Sequence, residues 1–239
     1  MLIEICANSY QSALNAQKAG ADRIEFCVEL AVGGITPSYG LLKKVMANLN
    51  IPVNVLVRPR GGNFTYSDEE FEVMKEDIRL CKRMGCNGIV SGVLKEDQTL
   101  DIERTRALLE LGRPLSFTFH RAFDWVPEPL TTLELLIELG IDSILTSGQQ
   151  ATAAKGLDLL KILKERAKGR IKILPGGGIN EDNICLFKQQ GFDELHFSAI
   201  NISKKPIGKI TMNSTKLFDE SVHATSDIAK IKSMLSLVK

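Results

Sequence analysis

The sequence predicts a single-domain (β/α)8 barrel, an α/β fold of the TIM type, over residues 1–239. Three observations predict it. Eight short β-rich runs alternate with stretches of helical periodicity, the pattern of parallel β-α-β units. One turn into a strand recurs, as Ala19-Gly20-Ala21-Asp22-Arg23-Ile24, Met84-Gly85-Cys86-Asn87-Gly88-Ile89 and Leu139-Gly140-Ile141-Asp142-Ser143-Ile144. The length of 239 residues suits one closed barrel and supplies a sizeable core. An open doubly wound sheet is the alternative arrangement of the same units.

The strand runs cover residues 2–6, 23–27, 53–58, 88–91, 115–120, 143–147, 171–174 and 194–198. Helical periodicity covers 9–19, 67–84, 102–111, 130–139 and 154–167. Gly20, Gly85, Gly140 and Gly191 each follow a helical stretch and precede a strand, where glycine ends the helix in the left-handed conformation. Ser67 with Glu70 is a capping box. The barrel core is assigned to 1–200 and a loop plus C-terminal helix to 201–239. The stretch 204–225 has weak periodicity and reads as a loop or an oligomer contact. Ser226 is expected to cap a last helix over 227–237, with Ile228, Ile231 and Leu235 on one face.

Composition narrows the function classes. Lys plus Arg is 30 against 29 for Asp plus Glu, so general electrostatic binding of nucleic acid or an anionic membrane is not expected. No apolar run approaches a membrane span. The N-terminus reads as a strand that starts at once, not as a signal peptide. Five cysteines, an odd number without framework spacing, fit a reducing cytoplasm.

Strand parity tells which side chains face inward. In the first strand Ile3 and Ile5 oppose Glu4 and Cys6; in the second Ile24 and Phe26 oppose Arg23, Glu25 and Cys27. Val53, Val55 and Val57 oppose Asn54, Leu56 and Arg58; Phe117 and Phe119 oppose Thr118 and His120; Leu195 and Phe197 oppose Glu194, His196 and Ser198. The apolar face meets the helices, so Glu4, Glu25, Arg58, Thr118, His120, His196 and Ser198 line the interior. Such charges either pair into a network that fixes register or face a solvated pocket at the strand C-terminal ends.

The candidate chemistry follows. Arg58 can hold a carboxylate or phosphate bidentately, or pair with Glu4 or Glu25. Arg60, in the loop after it, is a further anion-binding candidate or a solvated loop arginine. His120 is the candidate general acid or base, with Asp124 to orient it and Glu25 as a second titrating group. Gly176, Gly177 and Gly178 after the seventh strand suit either a bound anion or a tight turn with positive φ. His196 and Ser198 are inward candidates for ligand contact, as is Glu4. Cys6 and Cys27 end the first two strands with matching parity, where neighbouring strands lie about 4.8 Å apart. Two thiols there can chelate a soft ion such as Cu(I), or pack as small apolar groups. Cys81, Cys86 and Cys185 read as packing, and no His and carboxylate set has the local spacing of a zinc site. No organic cofactor is implied.

These segments together resemble the CutC family. The resemblance rests on Glu4-Ile5-Cys6, Ala19-Gly20-Ala21-Asp22-Arg23-Ile24-Glu25-Phe26-Cys27, Gly33-Gly34-Ile35-Thr36-Pro37-Ser38, Arg58-Pro59-Arg60-Gly61-Gly62, Thr118-Phe119-His120-Arg121-Ala122-Phe123-Asp124, Leu145-Thr146-Ser147-Gly148 and Pro175-Gly176-Gly177-Gly178-Ile179. It implies a cytoplasmic barrel, a homo-oligomer (dimer or tetramer), a link to copper homeostasis, and Cu(I) binding with Cys6 and Cys27 as ligands. It names no reaction, which leaves an enzyme acting on a small anionic metabolite at the barrel mouth as the alternative. The chain departs from the family pattern at Ile200 and Met212, where arginine is common after Ser198-Ala199 and before Asn213-Ser214. Lys204, Lys205 or Lys209 would have to supply the cationic groups.

Overall fold

A computed structural model of the chain describes residues 1–212 and 218–239. Eight parallel strands form the wall: β1 (Leu2–Ala7), β2 (Arg23–Phe26), β3 (Val53–Leu56), β4 (Gly88–Ser91), β5 (Ser116–Phe119), β6 (Ser143–Thr146), β7 (Lys172–Pro175) and β8 (Glu194–Phe197). They are hydrogen-bonded in the order β7-β6-β5-β4-β3-β2-β1-β8. A single bridge between Gly176 and His196 joins β7 to β8 and closes the barrel. The helices α1 (Tyr10–Ala19), α2 (Tyr39–Met46), α3 (Asp68–Arg83), α4 (Ile102–Gly112), α5 (Pro129–Leu139), α6 (Leu157–Ala167), α7 (Ile184–Gln189) and α8 (Ile228–Val238) surround it. The closed barrel, rather than the open sheet, is the arrangement adopted.

Local signals explain most boundaries. Ser67 accepts from the Glu70 amide while the Glu70 carboxylate accepts from the Ser67 amide, satisfying two otherwise orphaned donors at the start of α3. Gly20 and Gly140 sit at φ +92° and +81° and end α1 and α5, as their spacing predicts. The sequence did not single out α2, and it marked α7 only as the helical stretch that Gly191 follows. Each buries two apolar side chains, Leu42 and Val45 in one, Ile184 and Phe187 in the other, too short a stripe to show a period.

The core has two parts. Ile3, Ile5, Ile24, Phe26, Val55, Phe117 and Phe119 pack with Ala13, Ala16, Met74, Ile78, Leu133, Leu160 and Ile231 in the mantle between strands and helices. Each such large side chain contributes about 1.5–3 kcal/mol by leaving water. Inside the barrel a smaller cluster gathers Cys6, Cys27, Leu56 and Val90. The wall is therefore polar at some levels of its bore and apolar at another.

After β8 the chain forms an antiparallel hairpin, β9 (Ile200–Lys204) with β10 (Val222–Ser226), where weak periodicity had suggested a loop. Its alternation is hidden because β9 is solvent-exposed beyond its first residue and β10 begins exposed. Ser226 does not cap the last helix. Asp227 does, its carboxylate accepting from the Lys230 amide, while Ser226 ends β10 and its amide donates to Ser12 Oγ. Asn213 and Ser214 lie outside the described residues.

Candidate functional site

Register assembles the interior level by level. Pairing of β1 with β2 sets Glu4 beside Arg23 and Cys6 beside Glu25; pairing of β1 with β8 sets Glu4 beside His196. The inward parity expected for Glu4, Glu25 and His196 holds, and all three are buried. The charge partner of Glu4 is Arg23, not Arg58. Arg23 donates from Nε to Glu4 Oε2 at 2.5 Å and from Nη2 to Glu194 Oε2 at 2.7 Å. Lys172 meets the other Glu194 oxygen at 2.7 Å from the N-terminal end of the barrel. Asn54 donates to Glu4 Oε2 at 3.0 Å, and His196 Nδ1 lies 2.8 Å from Glu4 Oε1.

These partners set the acidities. Burial pushes the Glu4 carboxyl up, but the His196 hydrogen bond and the Arg23 charge outweigh it and hold it at about 2. Burial disfavours the His196 cation, yet the Glu25 and Glu4 carboxylates together lift it above the ordinary value. Glu25 faces no such cation at bonding distance. Burial pushes it up to about 7 against the pull of His196, and its Oε2 has no hydrogen-bond partner. The Cys6 thiol lies 3.8 Å from Glu25 Oε1 and 3.7 Å from the Cys27 sulfur. The Cys27 contact and burial, followed by the two carboxylates, raise Cys6 well above an ordinary thiol.

Above this level the bore opens into a cavity of about 640 Å³ at the C-terminal ends of the strands. Cys6, Glu25, Arg58, His120, His196, Ser198, Gly177 and Gly178 line it, with Phe64, Trp125 and Leu145 as apolar wall. His120 Nδ1 accepts from the Ala122 amide at 3.2 Å, so the neutral ring carries its proton on Nε2, which is buried without a partner. Burial, then the Arg58 charge, pushes His120 down to about 3. At neutral pH it is a hydrogen-bond donor rather than a base.

Asp124 does not orient His120. Its carboxylate accepts from Thr146 Oγ1 at 2.5 Å and from the Ser147 and Gln149 amides at 3.0 and 3.1 Å, and pairs with Arg121. It ties the turn after β5 to the loop after β6. Arg58 is buried but meets no carboxylate: Nη1 donates to the carbonyls of Val32 and Gly34, and Nη2 to that of Gly62. Its Nε remains unpartnered, and the guanidinium lies 5.0 Å over the Phe64 ring. Arg60 turns away from the cavity to pair with Glu70 and the Thr65 carbonyl. A Cβ on Gly176 would lie 2.5 Å from Leu145, and Gly177 and Gly178 stand at φ +104° and +71°, so close packing and backbone geometry demand this glycine run. Lys204 pairs with Asp219 at 3.3 Å, and neither it nor Lys205 or Lys209 lines the cavity.

Sequence reading missed three contributors. Arg23 was visible as an inward residue by parity, but its two acidic partners depend on register. Phe64 and Trp125, ring centroids 5.0 Å apart, lie on loops where no period marks them. Cys6, Glu25 and His196 bring ligand atoms within 4.8 Å of one another from three strands, which no local spacing reveals.

The sequence profile of the CutC family matches residues 1–201. The human copper homeostasis protein cutC homolog is 44% identical over 243 residues, covering 100% of this chain and 89% of that protein. A CutC family protein of Parabacteroides distasonis is 44% identical, with 98% and 99% covered. The crystal structure of a CutC copper homeostasis protein from Streptococcus agalactiae superimposes with a TM-score of 0.78 at 34% identity, covering 83% of this chain and 98% of that one. Thiamine phosphate pyrophosphorylase from Pyrococcus furiosus shares the fold, with a TM-score of 0.63 at 16% identity over 99% of this chain and 95% of that one.

Proposed function

The chain belongs to the CutC family, and from that membership we propose that it serves copper homeostasis in the cytoplasm by binding Cu(I) at the Cys6–Cys27 thiol pair. One observation carries the reading: the two sulfurs lie 3.7 Å apart, and Cys6 lines the open cavity with Cys27 buried behind it. With metal–sulfur bonds of about 2.3 Å, a single ion spans thiolates roughly 3.7–4.6 Å apart, so the pair closes on an ion with little movement. Thiolates are the donors that soft Cu(I) prefers. All five cysteines are free, which suits a reducing compartment.

Anaerobic titration with Cu(I) against a chromophoric chelator tests this. One equivalent per chain is expected. Cys6→Ser and Cys27→Ser should each weaken it by roughly 100-fold. Undiminished binding by the double serine variant would sink the reading.

A second reading has its own support. Buried side-chain polar atoms are nearly always partnered. Of six unpartnered ones among the described residues, three belong to cavity residues: Glu25 Oε2, Arg58 Nε and His120 Nε2. Their clustering supports a small organic anion as ligand, its carboxylate taken by the Arg58 and His120 donors and its body by Phe64 and Trp125. On this reading the chain is an enzyme of the barrel type. Benzoate, pyruvate and their amides should separate in a thermal-shift assay, the acids alone stabilising the protein. Loss of that shift in His120→Gln, with Arg60→Ala unaffected, is expected; equal shifts by acids and amides would refute it.

A further inference from the structure

We propose that Cys6, Glu25 and His196 form a three-ligand centre for a divalent ion of the zinc class. The inference shares with the Cu(I) reading the premise that the barrel mouth holds a metal ion and the donor Cys6; Glu25 and His196 take the place of Cys27, and the ion differs.

The donors converge from β1, β2 and β8, which are neighbours in the wall. One ligand atom from each lies within 4.8 Å of the other two, and all three residues are buried. A tetrahedral centre with bonds of about 2.0–2.3 Å needs donors roughly 3.5 Å apart. Side-chain shifts of about an ångström therefore close the group on an ion.

Two further observations point to a ligand. Glu25 Oε2 is buried with no hydrogen-bond partner. His196 is held as metal-bound histidines are held: its Nδ1 faces a carboxylate, Glu4, at 2.8 Å, which leaves Nε2 as the free donor. Glu4 is itself fixed by Arg23 and Asn54 on its other oxygen. Glu4 is thus a positioning residue, setting the tautomer and aim of the imidazole.

Charge selects the ion. The Cys6 thiolate and Glu25 carry two negative charges, and His196 adds none as a ligand. A monovalent ion leaves one of those charges uncompensated in a buried site; a divalent ion leaves none. The mixture of sulfur, nitrogen and oxygen donors also matches a borderline ion better than a purely soft one. The cavity above keeps one coordination position open to a small ligand, the arrangement of three protein donors plus an exchangeable one.

Cobalt(II) is the probe, added anaerobically to the intact chain. The expected result is one equivalent bound, with the visible bands of a four-coordinate centre, a thiolate-to-cobalt charge-transfer band, and displacement by one equivalent of Zn(II). His196→Ala and Glu25→Gln should weaken Co(II) by at least about 10-fold while Cu(I) affinity in His196→Ala changes little; Glu4→Gln should weaken Co(II) by a smaller factor. An octahedral spectrum in the unmodified protein, or no thiolate band, overturns the centre whatever the variants do. Equal loss of Co(II) and Cu(I) in a His196→Ala protein that keeps its native circular dichroism also overturns it. If Co(II) binds as described and Cu(I) does not, the copper reading falls and this one stands.

Discussion

His120 shows how one hydrogen bond decides a side chain's role. A histidine at a barrel mouth invites assignment as a base. The Ala122 amide occupies its Nδ1, and protonation there would set two donors against each other. The folded chain keeps the ring neutral down to about pH 3, whereas the unfolded chain protonates it near 6.5. Between those values the unfolded state binds the extra proton, so this residue's contribution is complete above pH 6.5 and is lost as pH falls toward 3. Glu25 acts in the opposite sense: burial and its neighbours hold it protonated up to about 7, against 4.5 when unfolded. A comparison with His120→Gln isolates the histidine. The stability advantage of the parent over the variant should shrink by about 2 kcal/mol between pH 7 and pH 5 in urea titrations. A constant difference would mean that the ring protonates in the folded state.

At the scale of elements, the last helix carries more than its place after the barrel strands suggests. α8 buries Ile231, Met234, Leu235 and Val238, and packs on α1 and α7. Its approach is fixed by the Ser226 amide on Ser12, Asn15 on the Ser226 carbonyl and Asn8 on the Ala224 carbonyl. Four such side chains contribute about 6–12 kcal/mol by burial, comparable with the net stability of a typical domain, about 5–15 kcal/mol. Removal of residues 227–239 should therefore yield a chain without a cooperative melt, read by far-ultraviolet circular dichroism and gel filtration. Leu235→Ala alone should cost about 2–5 kcal/mol. A truncated chain that melts cooperatively as a monomer would show that the wall is stable without this cover.

For the molecule as a whole, the legible and illegible parts divide along a physical line. Period and turn chemistry are local, so the strand–helix alternation, the Ser67 box and the inward parity of Glu4, Glu25, His120 and His196 could be read directly. Partner choice is not local. Arg23 or Arg58 could each have met Glu4 by parity, and only the stagger of β1 against β2 decides for Arg23. Asp124 lies four residues after His120, yet the turn between them sends its carboxylate to the loop after β6. The Cys6–Glu25–His196 group draws on strands at opposite ends of the sequence, joined because the wall closes on itself. The order of signs down the bore carries one consequence further. From the solvent end, Lys172, Glu194, Arg23 and Glu4 alternate like ions along a row of rock salt, and His196 continues the row when protonated. Glu25 is the next anion once it ionises above about pH 7. A cation at the mouth extends that lattice by one place, and an exposed lysine at the opposite rim belongs to the same row.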